Sequence, residues 1–88
     1  MPRLSFTRTL ERHVACPPEV VAGDTVRGAL EAYFARHPAT RSYVLDEQGA
    51  LRRHVTLFVD GTQVRDRSLD EPVGSQAQIF VMQALSGG

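Results

Sequence analysis

The sequence predicts an α+β fold in which one main helix lies across one face of a mixed sheet of four to five strands. Three observations carry this expectation: apolar residues alternate with period two near both ends of the chain, one stretch between them has helical periodicity, and an Asp-Gly pair in the second half marks a hairpin. A chain of 88 residues has room for one core and no second lobe. With 42% apolar and 23% charged residues it is expected to pack rather than remain disordered.

Over residues 3–10, Leu4, Phe6 and Leu10 alternate with Ser5, Thr7 and Thr9, the pattern of a strand with one buried face, which Arg8 interrupts near its end. A second extended stretch is expected over residues 12–22. Pro17 and Pro18 lack N–H donors and confine it to an edge or a bend. Gly23-Asp24-Thr25 then supplies a turn and an N-cap, and Val26, Ala29, Leu30, Tyr33 and Phe34 follow at the spacing of one amphipathic helix face. That helix stops near Arg36 or His37, because the residue before Pro38 is disfavoured in the α region. Gly28 within it signals either a close backbone approach or simple tolerance.

Residues 39–52 read as a connecting segment, anchored by Tyr43, Val44, Leu45 and Leu51 and turning at Asp46-Glu47-Gln48-Gly49. Val55, Leu57 and Val59 face one way along the next strand and Thr56 and Phe58 the other. Asp60-Gly61 then predicts a type I′ turn into residues 62–64. Residues 66–75 read as a loop pinned by Leu69 and Val73, and Gln78–Gln83 as the last strand, with Ile79 and Val81 opposite Phe80 and Met82. The expected organisation is a domain over residues 1–83 and a flexible tail over 84–88.

Ten acidic residues balance ten basic ones, so no long-range field favours nucleic acid or an anionic membrane as a partner. Every basic residue in that count is arginine, and without lysine no internal ammonium can accept an isopeptide bond. The single cysteine, Cys16, excludes an intramolecular disulfide, and no Cys/His pair has zinc-ligand spacing. Without an apolar signal core or a window of membrane-spanning length, the expected setting is the cytoplasm.

The order strand, strand, helix, strand, short strand, strand is that of the ubiquitin β-grasp. Three segments together resemble the ubiquitin-like sulfur carriers of molybdopterin, thiamine and cysteine synthesis: Gly23-Asp24-Thr25-Val26, Leu57-Phe58-Val59-Asp60-Gly61 and Gln83-Ala84-Leu85-Ser86-Gly87-Gly88. The resemblance covers nearly the whole chain. Its length and the stretch from Tyr43 to Arg52 are more similar to the molybdopterin synthase small subunit or the cysteine-synthesis carrier than to the shorter thiamine carrier. Where the family often has an acidic residue before the last strand, this chain has Gly74-Ser75-Gln76-Ala77.

The resemblance implies a protein co-substrate or small subunit, not an enzyme by itself, that binds no cofactor or metal of its own. An adenylating enzyme would consume ATP to activate the carboxylate of Gly88, and a sulfur donor would convert it to a thiocarboxylate. The acceptor would be an enzyme such as a molybdopterin synthase large subunit or a cysteine synthase-like enzyme. Gly87 and Gly88, lacking Cβ, suit passage through a narrow channel. The alternative is a modifier conjugated to other proteins through Gly88, and a third reading is a non-covalent module for which the glycines are dispensable.

The expected partner-binding residues are Phe58, Phe80 and Met82 on the sheet face away from the helix, with Leu85 and Ser86 in the tail. The alternative is that residues 39–52 or the terminus fold over that face. Arg52, Arg53 and His54 form the densest positive cluster, able to meet an acidic partner surface, although such a run is more often a solvated strand start. His13, His37, His54 and Cys16 are assigned no catalytic or metal role.

Overall fold

The structure is a computed structural model and describes residues 1–65 and 68–83. Its five strands are β1 (Arg3–Phe6), β2 (Glu19–Val20), β3 (Val55–Val59), β4 (Thr62–Gln63) and β5 (Gln78–Gln83). They form one mixed sheet in the order β2-β1-β5-β3-β4. β5 is central, running parallel to β1 and antiparallel to β3. The helices are α1 (Arg8–Glu11), α2 (Val26–Arg36) and α3 (Pro38–Val44).

The α2 boundaries follow from their local chemistry. Thr25 is extended and its hydroxyl accepts the Gly28 N–H at 3.0 Å, satisfying one donor that the first helical turn leaves open. The close backbone approach lies at Gly23, where a Cβ would stand 2.5 Å from the amide nitrogen of Ala29 and 2.8 Å from its Cα. Val26, Ala29, Leu30, Tyr33 and Phe34 are buried, as the spacing predicts. They pack in one core cluster with Leu4 and Phe6 of β1, Leu57 of β3 and Ile79 and Val81 of β5.

Three sequence expectations are corrected. The first strand ends at Phe6, and residues 8–11 form a helical turn. Continued alternation would have driven Arg8 into the core, whereas the turn brings Leu10, four residues after Phe6, to complete burial and leaves Arg8 in water. The extended stretch over 12–22 contracts to the two residues of β2, at a sheet edge as the prolines require. Residues 39–52 are not only a connection: Pro38, at the first position of α3, opens a second helix as well as closing the first. Val44, Leu45 and Leu51 are buried as expected, but Tyr43 is exposed, and the inward position falls to Thr40, whose hydroxyl donates to the Ala15 carbonyl at 3.3 Å.

The hairpin is as expected, with Asp60 and Gly61 both at positive φ (50° and 85°). The Asp60 carboxylate accepts the Gln78 N–H at 2.9 Å, tying the turn to the start of β5. The turn at residues 46–49 also forms, with the Asp46 carboxylate accepting N–H bonds from Gln48 and Ala50. Leu69, fully buried at φ 63°, pins the loop before β5, and Arg27 bridges that loop to the turn by donating to the carbonyls of Ser68 (3.1 Å) and Gly49 (2.9 Å). Among the described residues no helix is long and apolar enough to cross a membrane.

Candidate functional site

Strand register decides which side chains meet. Phe58 of β3 lies directly opposite Phe80 of β5, and Thr56 opposite Met82. In antiparallel strands such pairs share a face with Cβ atoms about 4.5–5.5 Å apart. Their neighbours Val55, Leu57, Ile79 and Val81 point to the helices and are buried. Phe58 and Phe80 are half-buried and stand outside the core cluster, while Met82 is 39% exposed.

The structure thus brings Phe58, Phe80 and Met82 together on the outer face. Val44, Leu45 and Leu51 of the 39–52 segment join the core cluster from which the two phenylalanines are absent. Leu85, Ser86, Gly87 and Gly88 lie outside the described residues, as does the expected tail over 84–88.

Register also extends the face in ways the sequence does not disclose. Ser5 of β1 lies beside Phe80, and Gln63 of β4 beside Phe58, so one row across the sheet reads Ser5, Phe80, Phe58, Gln63. Val20, 46% exposed, lies opposite Arg3 at a corner of the same sheet. Alternation identifies the outward residues of one strand. Which residues of a neighbour stand beside them depends on pairings distant in sequence.

The point where β5 ends is equally defined. Gln83 lies opposite Val55, directly after the Arg52-Arg53-His54 run, and its N–H points to the Thr7 hydroxyl at 3.5 Å. The Thr7 N–H donates to the Val81 carbonyl at 3.1 Å. β5 therefore ends in the middle of the sheet, between the Thr7–Arg8 step and the start of β3 at Val55.

The remaining titratable groups have structural surroundings. Cys16 is buried, and burial, followed by the charge of Glu11, pushes its thiol above the ordinary value, the opposite of an activated nucleophile. Tyr33 is buried with its hydroxyl donating to the Pro17 carbonyl at 2.8 Å, and burial above all raises its phenol. His37 packs against Tyr33 in a tilted arrangement with ring centroids 4.5 Å apart and hydrogen-bonds Glu19, which Arg36 also approaches at 3.0 Å. These contacts hold residues 15–19 against the end of α2. Among the described residues no group of His, Cys, Asp and Glu is arranged to hold a metal ion.

Sheet order, helix placement and a central last strand define a ubiquitin-like protein of the β-grasp class. No protein-family model matches the chain, and no curated protein matches it in sequence. Solved structures do. Small archaeal modifier protein 1 from Haloferax volcanii is 26% identical over 99% of this chain and 98% of that one, with a TM-score of 0.79. A chain of the Amycolatopsis orientalis BexX/CysO complex matches over 100% of both chains, with 21% identity and a TM-score of 0.84. Mycobacterium tuberculosis CysO matches over 97% of this chain and 100% of that one, with 19% identity and a TM-score of 0.81. These neighbours share the ubiquitin-like fold with this chain along nearly its whole length.

Proposed function

We propose that the chain is a sulfur carrier whose working atoms are those of the Gly88 carboxylate. The observation that supports this reading is the position of β5: the central strand of the sheet carries Phe80 and Met82 of the outward apolar row and ends at Gln83, directly before the sequence Ala84-Leu85-Ser86-Gly87-Gly88. In an activating enzyme one carboxylate oxygen attacks the α-phosphorus of ATP, the bond to the β-phosphate oxygen breaks, and pyrophosphate leaves. Sulfur from hydrosulfide then adds to the acyl carbon of the adenylate, the carbon–oxygen bond to AMP breaks, and a thiocarboxylate remains. A persulfide donor does the same through an acyl disulfide that a second thiol reduces.

The protein supplies no catalytic side chain to this sequence. It supplies a recognisable face formed by Phe58, Phe80 and Met82, and a terminus able to reach a site that the folded domain cannot enter. The acceptor of the sulfur would be a biosynthetic enzyme of the molybdopterin, cysteine or thiamine type.

A second reading is favoured by the match to small archaeal modifier protein 1: conjugation of Gly88 to an amine of another protein. The two share the adenylate and differ in what displaces AMP. Intact-mass measurement of the protein purified from its own cells tests both. Free protein heavier by one sulfur-for-oxygen exchange identifies the carrier, and an isopeptide to a target protein identifies the modifier. Deleting Gly88 moves the reacting carboxyl by up to about 3.6 Å and is expected to abolish both products with the thermal midpoint unchanged. A truncated protein that still sustains its pathway at the wild-type level would refute both readings.

A further inference from the structure

Arg8 and Arg53 are far apart in sequence and flank the same point of the fold. Arg8 follows Thr7, whose hydroxyl faces the Gln83 N–H, and Arg53 lies two residues before Val55, the strand partner of Gln83. Both are exposed. Several other arginines are already engaged: Arg27 on two carbonyls, Arg36 on Glu19, Arg41 on Glu31 and Arg52 on the Ser42 carbonyl at 2.6 Å. The guanidinium groups of Arg8 and Arg53 make no hydrogen bond or ion pair among the described residues. An open cavity of about 520 Å³ lies on the Arg53 side, lined by Arg52, Arg53 and His54 together with Asp46, Ala50 and Leu51.

Several of the acids are placed elsewhere or occupied. Asp24, Asp60 and Glu71 belong to the opposite end of the sheet: Asp60 bonds the start of β5, and the Glu71 carbonyl receives the first N–H of α2. Near the β5 exit, Asp46 shares the cavity, but its carboxylate is taken up by the N–H groups of Gln48 and Ala50. Glu11, also on α1, acts electrostatically on Cys16. A chain with no net charge thus places two uncommitted guanidinium groups on either side of the last strand's exit.

We propose that Arg8 and Arg53 form a basic collar that docks on acidic side chains at the rim of the activating enzyme's entrance, aligning the tail with it. This deepens the proposed function and rests on it. Guanidinium groups favour carboxylates because the planar fork makes paired, charge-assisted hydrogen bonds. Carboxylates of a protein surface fit better than a continuous polyanion, because Glu11 and Asp46 interrupt the positive surface and the whole chain is neutral.

The test compares three proteins expressed in the native cell: wild type, Arg8→Gln/Arg53→Gln, and Arg65→Glu, which changes net charge equally at a loop after β4. Intact mass gives the fraction carrying the thiocarboxylate or conjugated at Gly88, and thermal unfolding checks each fold. The collar variant is expected to lose about threefold or more of the modified fraction, with its midpoint and the Arg65→Glu protein unaffected. Equal fractions in the collar variant and wild type would overturn the collar, as would an equal loss in both variants, which is a net-charge effect. Absence of any modification in wild type is a separate outcome that overturns the proposed function and the collar with it.

Discussion

Replacing Phe80 by threonine separates the two faces of the sheet. Phe80 is half-buried, so the change forfeits about half of the 1.5–3 kcal/mol available from burying a phenylalanine. Loss of the cross-strand pair with Phe58 adds about 0.5 kcal/mol. Threonine keeps a strand-compatible β-branched backbone. The expected destabilisation is about 1.3–2 kcal/mol, or roughly 5–16 °C in thermal midpoint for a domain of this size. Leu57→Ala, from a fully buried inward position one residue from Phe58, is expected to cost about 2–5 kcal/mol. Function should rank them the other way. A central aromatic anchor is worth about 2 kcal/mol at an interface, so Phe80→Thr is expected to weaken capture by the activating enzyme about 30-fold. Leu57→Ala protein that is still folded should be captured normally. Urea unfolding supplies the first ranking, and the modified fraction at Gly88 supplies the second. A Phe80→Thr protein destabilised as much as Leu57→Ala, or one modified as fully as wild type, would refute the assignment of this face to docking.

Gly23→Ala is expected to cost about 2–4 kcal/mol in urea unfolding, combining a positive-φ penalty with displacement of backbone at Ala29; a loss below about 1 kcal/mol would show that the turn relaxes freely. Cys16 and Tyr33 are both held above their ordinary ionisation range, so the folded state disfavours their anions. Stability from this source is complete below about pH 8.5 and declines above it, through Cys16 first and then through Tyr33 above about pH 10. Tyr33→Phe is expected to cost about 1 kcal/mol at neutral pH, from the lost bond to the Pro17 carbonyl. It should also flatten the decline above pH 10 in a series of urea midpoints, and an unchanged alkaline slope would contradict the cause given.

What the sequence disclosed and what it withheld follow from how local each determinant is. The α2 helix, the Asp60-Gly61 hairpin and the last strand were legible because cap, periodicity and turn chemistry lie within a few residues of each other. The end of β1 was not, since Leu10 fits a period of two from Phe6 as well as a helical step of four; only the cost of burying Arg8 separates them. The third helix was hidden by Pro38, which reads as a stop signal for α2 and serves equally as the first residue of α3. In the site, alternation was enough to group Phe58, Phe80 and Met82. Pairing of β5 with β1 was needed to bring Arg8 toward Arg53, and no local pattern encodes a parallel register across most of the chain.

Both outer strands of the sheet, β2 and β4, are only two residues long, and Pro17 and Pro18 precede β2. Neither offers a ladder long enough for an incoming strand, so self-templated stacking is blunted and a partner gains little by adding its own backbone there. Recognition is thereby left to side chains, which vary independently of one another, whereas backbone hydrogen bonds are common to every sequence. A scaffold of this kind can be redirected from one client enzyme to another by a few outward substitutions while its core remains untouched.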